Sequence, residues 1–210
     1  MDKALIIHQE LFKLFPDAKC ELDYHNVFEL LIAVSLSAQT TDKSVNKVTP
    51  ILFNKYPDAC SLALADIDDV ITIIKPLGLY HNKAKNIIAL ANSLVANFNG
   101  VVPNSREELM TLNGVGRKTA NVVLAEGFKI PAIGVDTHVI RVAVRLNLAL
   151  ASDSILEIEK KLMSLYPQEL WGTIHHELLL FGRYYCKAKN PKCTNCPLKA
   201  YCINEYGIVS

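Results

Sequence analysis

The chain has 210 residues, half of them apolar and one fifth charged, with a formal net charge of +1. That is enough apolar material for one large domain or two small ones, which excludes a disordered polymer. No stretch reaches the ~18 consecutive apolar residues of a membrane span.

Apolar spacing is helical almost from the start. In residues 1–16, MDKALIIHQELFKLFP, the apolar Leu5, Ile6, Leu11, Leu14 and Phe15 are interrupted by His8, Gln9, Glu10 and Lys13. This predicts an amphipathic helix rather than a signal peptide, with the cytoplasm as the expected location. Phe28, Leu30, Leu31, Val34 and Leu36 fit a second helix. Residues 71–74 and 130–135 are short β-branched runs, but their neighbours suit helices and loops. Residues 77–84, LGLYHNKA, place a glycine turn before a lysine and an alanine that open a helix. The longer helix that follows carries Ile87, Ile88, Leu90, Ala91, Leu94, Val95 and Phe98, and Asn99-Gly100 is its stop signal. Asn104-Ser105 starts a helix at Glu107, Glu108 and Leu109. Ser152 or Asp153 is expected to start another at Ile155, Ile158 and Leu162. With no clear period-2 alternation, the expected fold class is all-α.

Residues 112–120 read LNGVGRKTA. Glycine reaches φ > 0 at no steric cost, so Gly114-Val115-Gly116 predicts a tight hairpin between two helices. Its amides and the start of the next helix form an anion site that can take a phosphate without reading sequence, and Arg117 adds charge. A nucleotide-binding loop is excluded by the missing four-residue gap and the missing strand. Lys118 falls in the first turn of the second helix, where the helix dipole disfavours a cation. A structural lysine gains nothing there; a nucleophile does, because the neutral amine is the form that attacks carbon. Eighteen residues on, Asp136 precedes the helical run Val139, Ile140, Val142, Ala143 and Leu146. It reads as an N-cap: a carboxylate held rigidly and kept ionised, able to face a developing positive charge or take a proton.

Net charge differs along the chain. Residues 1–110 hold 10 Lys/Arg against 13 Asp/Glu, a net of −3, while residues 111–202 hold 12 against 7, a net of +5. No acidic residue separates Glu177 from Glu205, a stretch holding Arg183, Lys187, Lys189, Lys192 and Lys199. It also holds four of the six cysteines, Cys186, Cys193, Cys196 and Cys202, spaced C-x6-C-x2-C-x5-C. Cys20 and Cys60 stand apart and are expected to pack as small apolar residues. Disulfides are disfavoured without an oxidising compartment. Four thiolates suit zinc or a [4Fe–4S] cluster. One C-x2-C pair with long arms fits a bulkier cluster more naturally, and spacing alone leaves both open. Ligation would fold a segment with no core of its own and hold Lys187, Lys189 and Lys192 against something anionic.

Together these features resemble the endonuclease III family of helix-hairpin-helix DNA glycosylases. The likeness is carried by residues 36–42 (LSAQTTD), by Gly78-Leu79-Tyr80, by the hairpin with Gly-Arg-Lys-Thr-Ala-Asn, by Val135-Asp136-Thr137-His138 and by the cysteine pattern. Asn113 stands where the family commonly has proline. The resemblance implies a six-helix domain over residues 22–132 and a second helical domain from residues 1–21 with 133–210, with DNA gripped between them. It implies a [4Fe–4S] cluster on Cys186, Cys193, Cys196 and Cys202, Lys118 as nucleophile and Asp136 as its essential carboxylate. Gln39 and Leu79 match positions that fill the gap left by a flipped nucleotide. The implied activity is a bifunctional DNA glycosylase and abasic-site lyase of base excision repair, removing oxidised pyrimidines from damaged double-stranded DNA. A monomer with no membrane association, working on the nucleoid, is expected. His138, His175 and His176 also resemble family positions and are read as packing or hydrogen-bonding residues. Two rivals are a monofunctional adenine-mismatch glycosylase, which needs no Lys118 and usually carries an extra C-terminal domain, and a non-catalytic DNA-binding module with a structural metal.

Overall fold

The computed structural model describes residues 3–203, and these form helices and loops with no strand. No helix among them is long and apolar enough to cross a membrane. The chain divides into two compact units, Glu21–Ile130 and Met1–Cys20 with Pro131–Ser210.

The unit Glu21–Ile130 is built around α2, Val27–Leu36, whose sequence VFELLIAVSL is apolar almost all round and buried on nearly every face. Short polar side chains start most of its helices by accepting a backbone N–H. Asn26 caps α2, Thr41 caps α3 (Asp42–Lys55), Asp58 caps α4 (Ala59–Ala63) and Asp66 caps α5 (Ile67–Ile74). Residues 71–74 are thus helical. The longest helix, α6, runs Tyr80–Phe98 and buries a stripe of Lys83, Ala84, Ile87, Leu90, Ala91 and Leu94. Asn99 and Gly100 both turn left-handed and end it, with the Gly100 N–H on Leu94 O at 2.9 Å. Ser105 caps α7, Arg106–Leu109, and α8 follows at Arg117–Gly127. A Cβ on Gly127 would lie 2.9 Å from Val27 Cγ1, so this glycine lets the end of α8 close onto α2. The unit has seven α-helical segments rather than six, because α7 is a separate turn of four residues.

In the other unit, α1 (Lys3–Leu14) packs with α9 (Thr137–Arg145), α10 (Ile155–Leu165) and α11 (Trp171–Leu180). Ile7, Leu11, Val139, Val142, Leu162 and Leu178 are fully buried in one core, so residues from both ends of the chain complete it. Residues 130–135 form no regular element. Two expectations need correction. The cap of α10 is Ser154 rather than Ser152 or Asp153, in a reciprocal pair with Glu157; Asp153 instead accepts from Leu150 N and Lys161 Nζ. Cys60 is exposed rather than packed, in the first turn of α4.

Glu177, on α11, is fully buried. One carboxylate oxygen meets His8 Nδ1 of α1 at 2.9 Å, and the other has no hydrogen-bond partner. Burial pushes this carboxyl up, and the His8 contact offsets part of the rise. The folded chain therefore holds the proton more tightly than the unfolded chain, and this group's contribution to stability falls as pH rises through the raised native value. Glu177→Gln removes that dependence. Urea unfolding from about pH 4 to about pH 7 should show the variant gaining on the wild type as pH rises.

Candidate functional site

In the hairpin the two glycines do different things. Gly114 alone is left-handed, at φ 74°, and a Cβ there would lie 4.0 Å from Asn86 Cβ on α6. Val115, between them, is buried and anchors the turn, with its N–H on Leu112 O at 3.1 Å. Gly116 is extended, at φ −90° and ψ 174°, and is the N-cap of α8. It has no side chain to cap the helix, and nothing lies within 4 Å of where a Cβ would stand. The tight turn expected of Gly114-Val115-Gly116 thus draws on left-handed freedom at Gly114 only. Gly116 leaves the start of α8 open. Arg117 and Lys118 occupy its first two positions, both half-buried. Lys118 has no ion pair or hydrogen bond among the described residues. Behind them Asn121 is fully buried and accepts from Arg106 Nε at 2.7 Å, tying α7 to α8.

The same unit presents Gln39 and Leu79 on two turns. Both are exposed, and both are left-handed, at φ 55° and 59°. For a leucine this costs roughly 1–2 kcal/mol. Leu79 is the N-cap of α6 without a capping side chain, and it is 58% exposed. An apolar side chain held in strain and in water is spending stability on something other than the fold.

In the other unit, Asp136 Oδ1 accepts from both His138 N at 2.8 Å and Val139 N at 2.9 Å. The N-cap is therefore as expected, and Oδ2 takes no hydrogen bond among the described residues. The same helix, α9, also supports the cysteine loop. Arg141 donates through Nε to Cys186 O at 3.0 Å and through Nη2 to Gly182 O at 2.7 Å and His138 Nδ1 at 3.1 Å. Arginine can only donate, so His138 Nδ1 is an acceptor here, a hydrogen-bonding role as expected. Arg145 Nη1 reaches Cys186 Sγ at 3.3 Å and Lys187 O at 2.8 Å. Chain residues Phe181–Tyr185 make a π-helical turn, with the Cys186 N–H on Phe181 O at 2.6 Å. A Cβ on Gly182 would lie 2.9 Å from His138 Cβ and 3.1 Å from its carbonyl oxygen, so only glycine lets this turn lie on α9.

Cys186, Cys193, Cys196 and Cys202 are all free thiols that line one small cavity with Arg145, Phe181 and Tyr185. Burial, then the neighbouring cysteines, pushes the Cys193 thiol up; burial does the same at Cys196. Clustered thiolates need a cationic centre. Among the described residues no three His, Cys, Asp or Glu side chains converge on a single ion. Four free thiols around one cavity can hold a [4Fe–4S] cluster, which gives each thiolate its own iron. Lys187, Lys189 and Lys192 are exposed on the loop. Lys192 Nζ lies 5.6 Å from the centre of the Tyr185 ring, so its charge is partly engaged within the loop.

Sequence reasoning missed Arg141, Arg145 and Lys83. The two arginines stand four apart on a helix otherwise read for its apolar face. Lys83 falls in phase with Ile87, Leu90 and Leu94, a lysine on a core stripe, and that phase was the available signal.

An open hairpin beginning a lysine-bearing helix, with four cysteines on one loop, defines an all-α helix-hairpin-helix protein with a metal-cluster loop. Residues 32–168 match the HhH-GPD superfamily base excision DNA repair protein model, and residues 186–202 match the iron-sulfur binding domain of endonuclease III. The chain is 50% identical over 189 residues to endonuclease III of Bacillus subtilis (strain 168), covering 90% of this chain and 86% of that one. It is 43% identical over 200 residues to endonuclease III of Escherichia coli (strain K12), covering 95% and 94%. A solved structure of a trapped endonuclease III–DNA covalent intermediate superposes with a TM-score of 0.91 at 50% identity, covering 99% of this chain and 97% of that one. A thermostable thymine-DNA glycosylase, 22% identical, shares the fold with a TM-score of 0.84, covering 96% and 95%. The chain belongs to the endonuclease III family: it is a base excision repair enzyme, a DNA glycosylase and abasic-site lyase with a [4Fe–4S] cluster.

Two measurements test this geometry. Asp136→Ala should lose about 1 kcal/mol of stability in urea and Asp136→Asn much less, because asparagine caps almost as well. Cys196→Ser should lower bound iron and the visible absorbance of the purified protein, and a zinc-containing, iron-free protein would contradict the cluster.

Proposed function

We propose that Lys118 is the nucleophile of this enzyme, that Asp136 is the carboxylate serving it, and that the substrate is an oxidised pyrimidine in damaged double-stranded DNA. The observation that carries this is the Lys118 amine: half-buried, without a partner among the described residues, in the first turn of a helix that no side chain caps. The hairpin of Gly114, Val115, Gly116 and Arg117 holds a backbone phosphate on its amides. That contact fixes the sugar relative to an amine two residues beyond Gly116. Gln39 and Leu79 fill the space left when the damaged nucleotide leaves the stack, at a cost lowered by the damage itself. Exposed Lys187, Lys189 and Lys192 add phosphate contacts.

The chemistry follows from these groups. The neutral Lys118 amine attacks C1′; the C1′–N bond to the base breaks and its electron pair leaves with the base, which takes up a proton. Asp136, through its unbonded oxygen, stabilises the positive charge developing on the sugar and accepts a proton from the lysine nitrogen. The C1′–O4′ bond then breaks, its electron pair leaving on O4′, which takes the proton held by Asp136, and the lysine nitrogen forms a protonated Schiff base with C1′. This acidifies C2′–H; loss of that proton expels the 3′ phosphate by β-elimination and cuts the strand. Water then releases Lys118. Cys186, Cys193, Cys196 and Cys202 would hold the cluster, which supplies a structural clamp for the lysine loop and takes part in no step above. The reading includes a monomer that works in the cytoplasm on nucleoid DNA.

Incubation with abasic-site DNA and borohydride should give a covalent protein–DNA adduct, lost in Lys118→Ala together with about three orders of magnitude of lyase rate. An adduct that survives the substitution refutes Lys118. Its absence from the wild type favours the binding module or the adenine-mismatch enzyme.

A further inference from the structure

Lys83 is only 6% exposed and sits one turn into α6, on its buried stripe. Its ammonium donates to Thr40 Oγ1, on the turn between α2 and α3. No carboxylate pairs with it among the described residues, and burial pulls its pKa down. A buried ammonium with a neutral hydroxyl as its partner is poor for stability, and an apolar side chain of the same length would pack at least as well. The fold therefore does not require it.

Its connections indicate what does. The Lys83 N–H bonds to Leu79 O at 3.0 Å, so the residue lies directly over the strained Leu79 turn. Thr40 follows Gln39, and its hydroxyl passes the contact on to Ala38 O at 3.4 Å, while its N–H holds Ser37 O at 3.0 Å. One side chain thus spans the Gln39 turn and the Leu79 turn, each of which carries an exposed, left-handed residue. Three residues further along α6, Asn86 lies against Gly114 of the hairpin.

We propose that Lys83 is a positioning residue that locks the Gln39 turn to the Leu79 turn, so that both side chains enter the duplex as one rigid wedge. This rests on the reading of Gln39 and Leu79 as gap-filling residues. Without the strut each turn would relax separately, and ordering them again would fall on the bound state.

The test uses the full-length holoenzyme and a duplex carrying a tetrahydrofuran abasic-site analogue with 2-aminopurine as the opposite base. Lys83→Met should weaken binding to this duplex about tenfold and suppress the 2-aminopurine fluorescence rise. Binding to undamaged duplex and the thermal midpoint should stay at or above wild type, which a merely structural residue would not allow. In a Leu79→Ala background Lys83→Met should add less than about twofold, because one wedge is already lost. Thr40→Val cuts the strut from its other end, should reproduce these effects, and carries the test if Lys83→Met does not fold. Wild-type affinity and fluorescence in both strut variants, with Gln39→Ala and Leu79→Ala impaired, would overturn the role of Lys83 alone. Wild-type behaviour of Gln39→Ala and Leu79→Ala would overturn the wedge reading and this inference with it.

Discussion

An α-helix begins with backbone N–H groups that have no partner within the helix, and α8 and α9 meet that constraint in opposite ways. At α9 the chain spends a carboxylate: Asp136 takes two N–H groups on one oxygen. At α8 it spends nothing, because Gly116 has no side chain to offer. The first choice fixes an acid in position and keeps its other oxygen available. The second leaves the start of α8 without a side-chain cap, beside a lysine. On the proposed reading both reactive groups are set by this single requirement: the phosphate held at the open start of α8 places the sugar, and the self-capped start of α9 supplies a carboxylate that does not move.

The rest of each unit keeps those starts rigid. Val115 and Asn121 are buried on either side of Lys118, so the hairpin and the first turns of α8 cannot shift without disturbing the core. In the other unit Arg141 and Arg145 fasten α9 to the cysteine loop through backbone oxygens and one sulfur, and Gly182 removes the side chain that would keep them apart. The cluster loop is thereby attached to the same helix that Asp136 caps. A clamp for a short segment without a core of its own is what thiolate ligation supplies.

Much of this was legible in the sequence because it rests on local rules. Helical periodicity placed α2 and α6, Asn99-Gly100 ended α6, Asp136 read as a cap, and the C-x6-C-x2-C-x5-C spacing marked the loop. What the sequence hid depends on partners far along the chain. Glu177 meets a histidine 169 residues away, Arg145 a sulfur 41 residues away, and Lys83 a hydroxyl 43 residues away. The left-handed turn at Leu79 was hidden for another reason. Gly78 stands beside it and invites the assignment, yet the strained residue is the leucine. The Ser154 cap was missed because three polar residues in a row offer equal claims until the helix register is known.

The most direct test of the central claim is the identity of the amine that bonds to DNA. The borohydride-trapped wild-type adduct can be digested with nuclease and trypsin and its peptides weighed. The account predicts a sugar remnant on Lys118, blocking cleavage there and leaving a peptide that runs through Lys118 into Thr119 and beyond. A trapped adduct with an unmodified Lys118 peptide and the remnant on another lysine would contradict it.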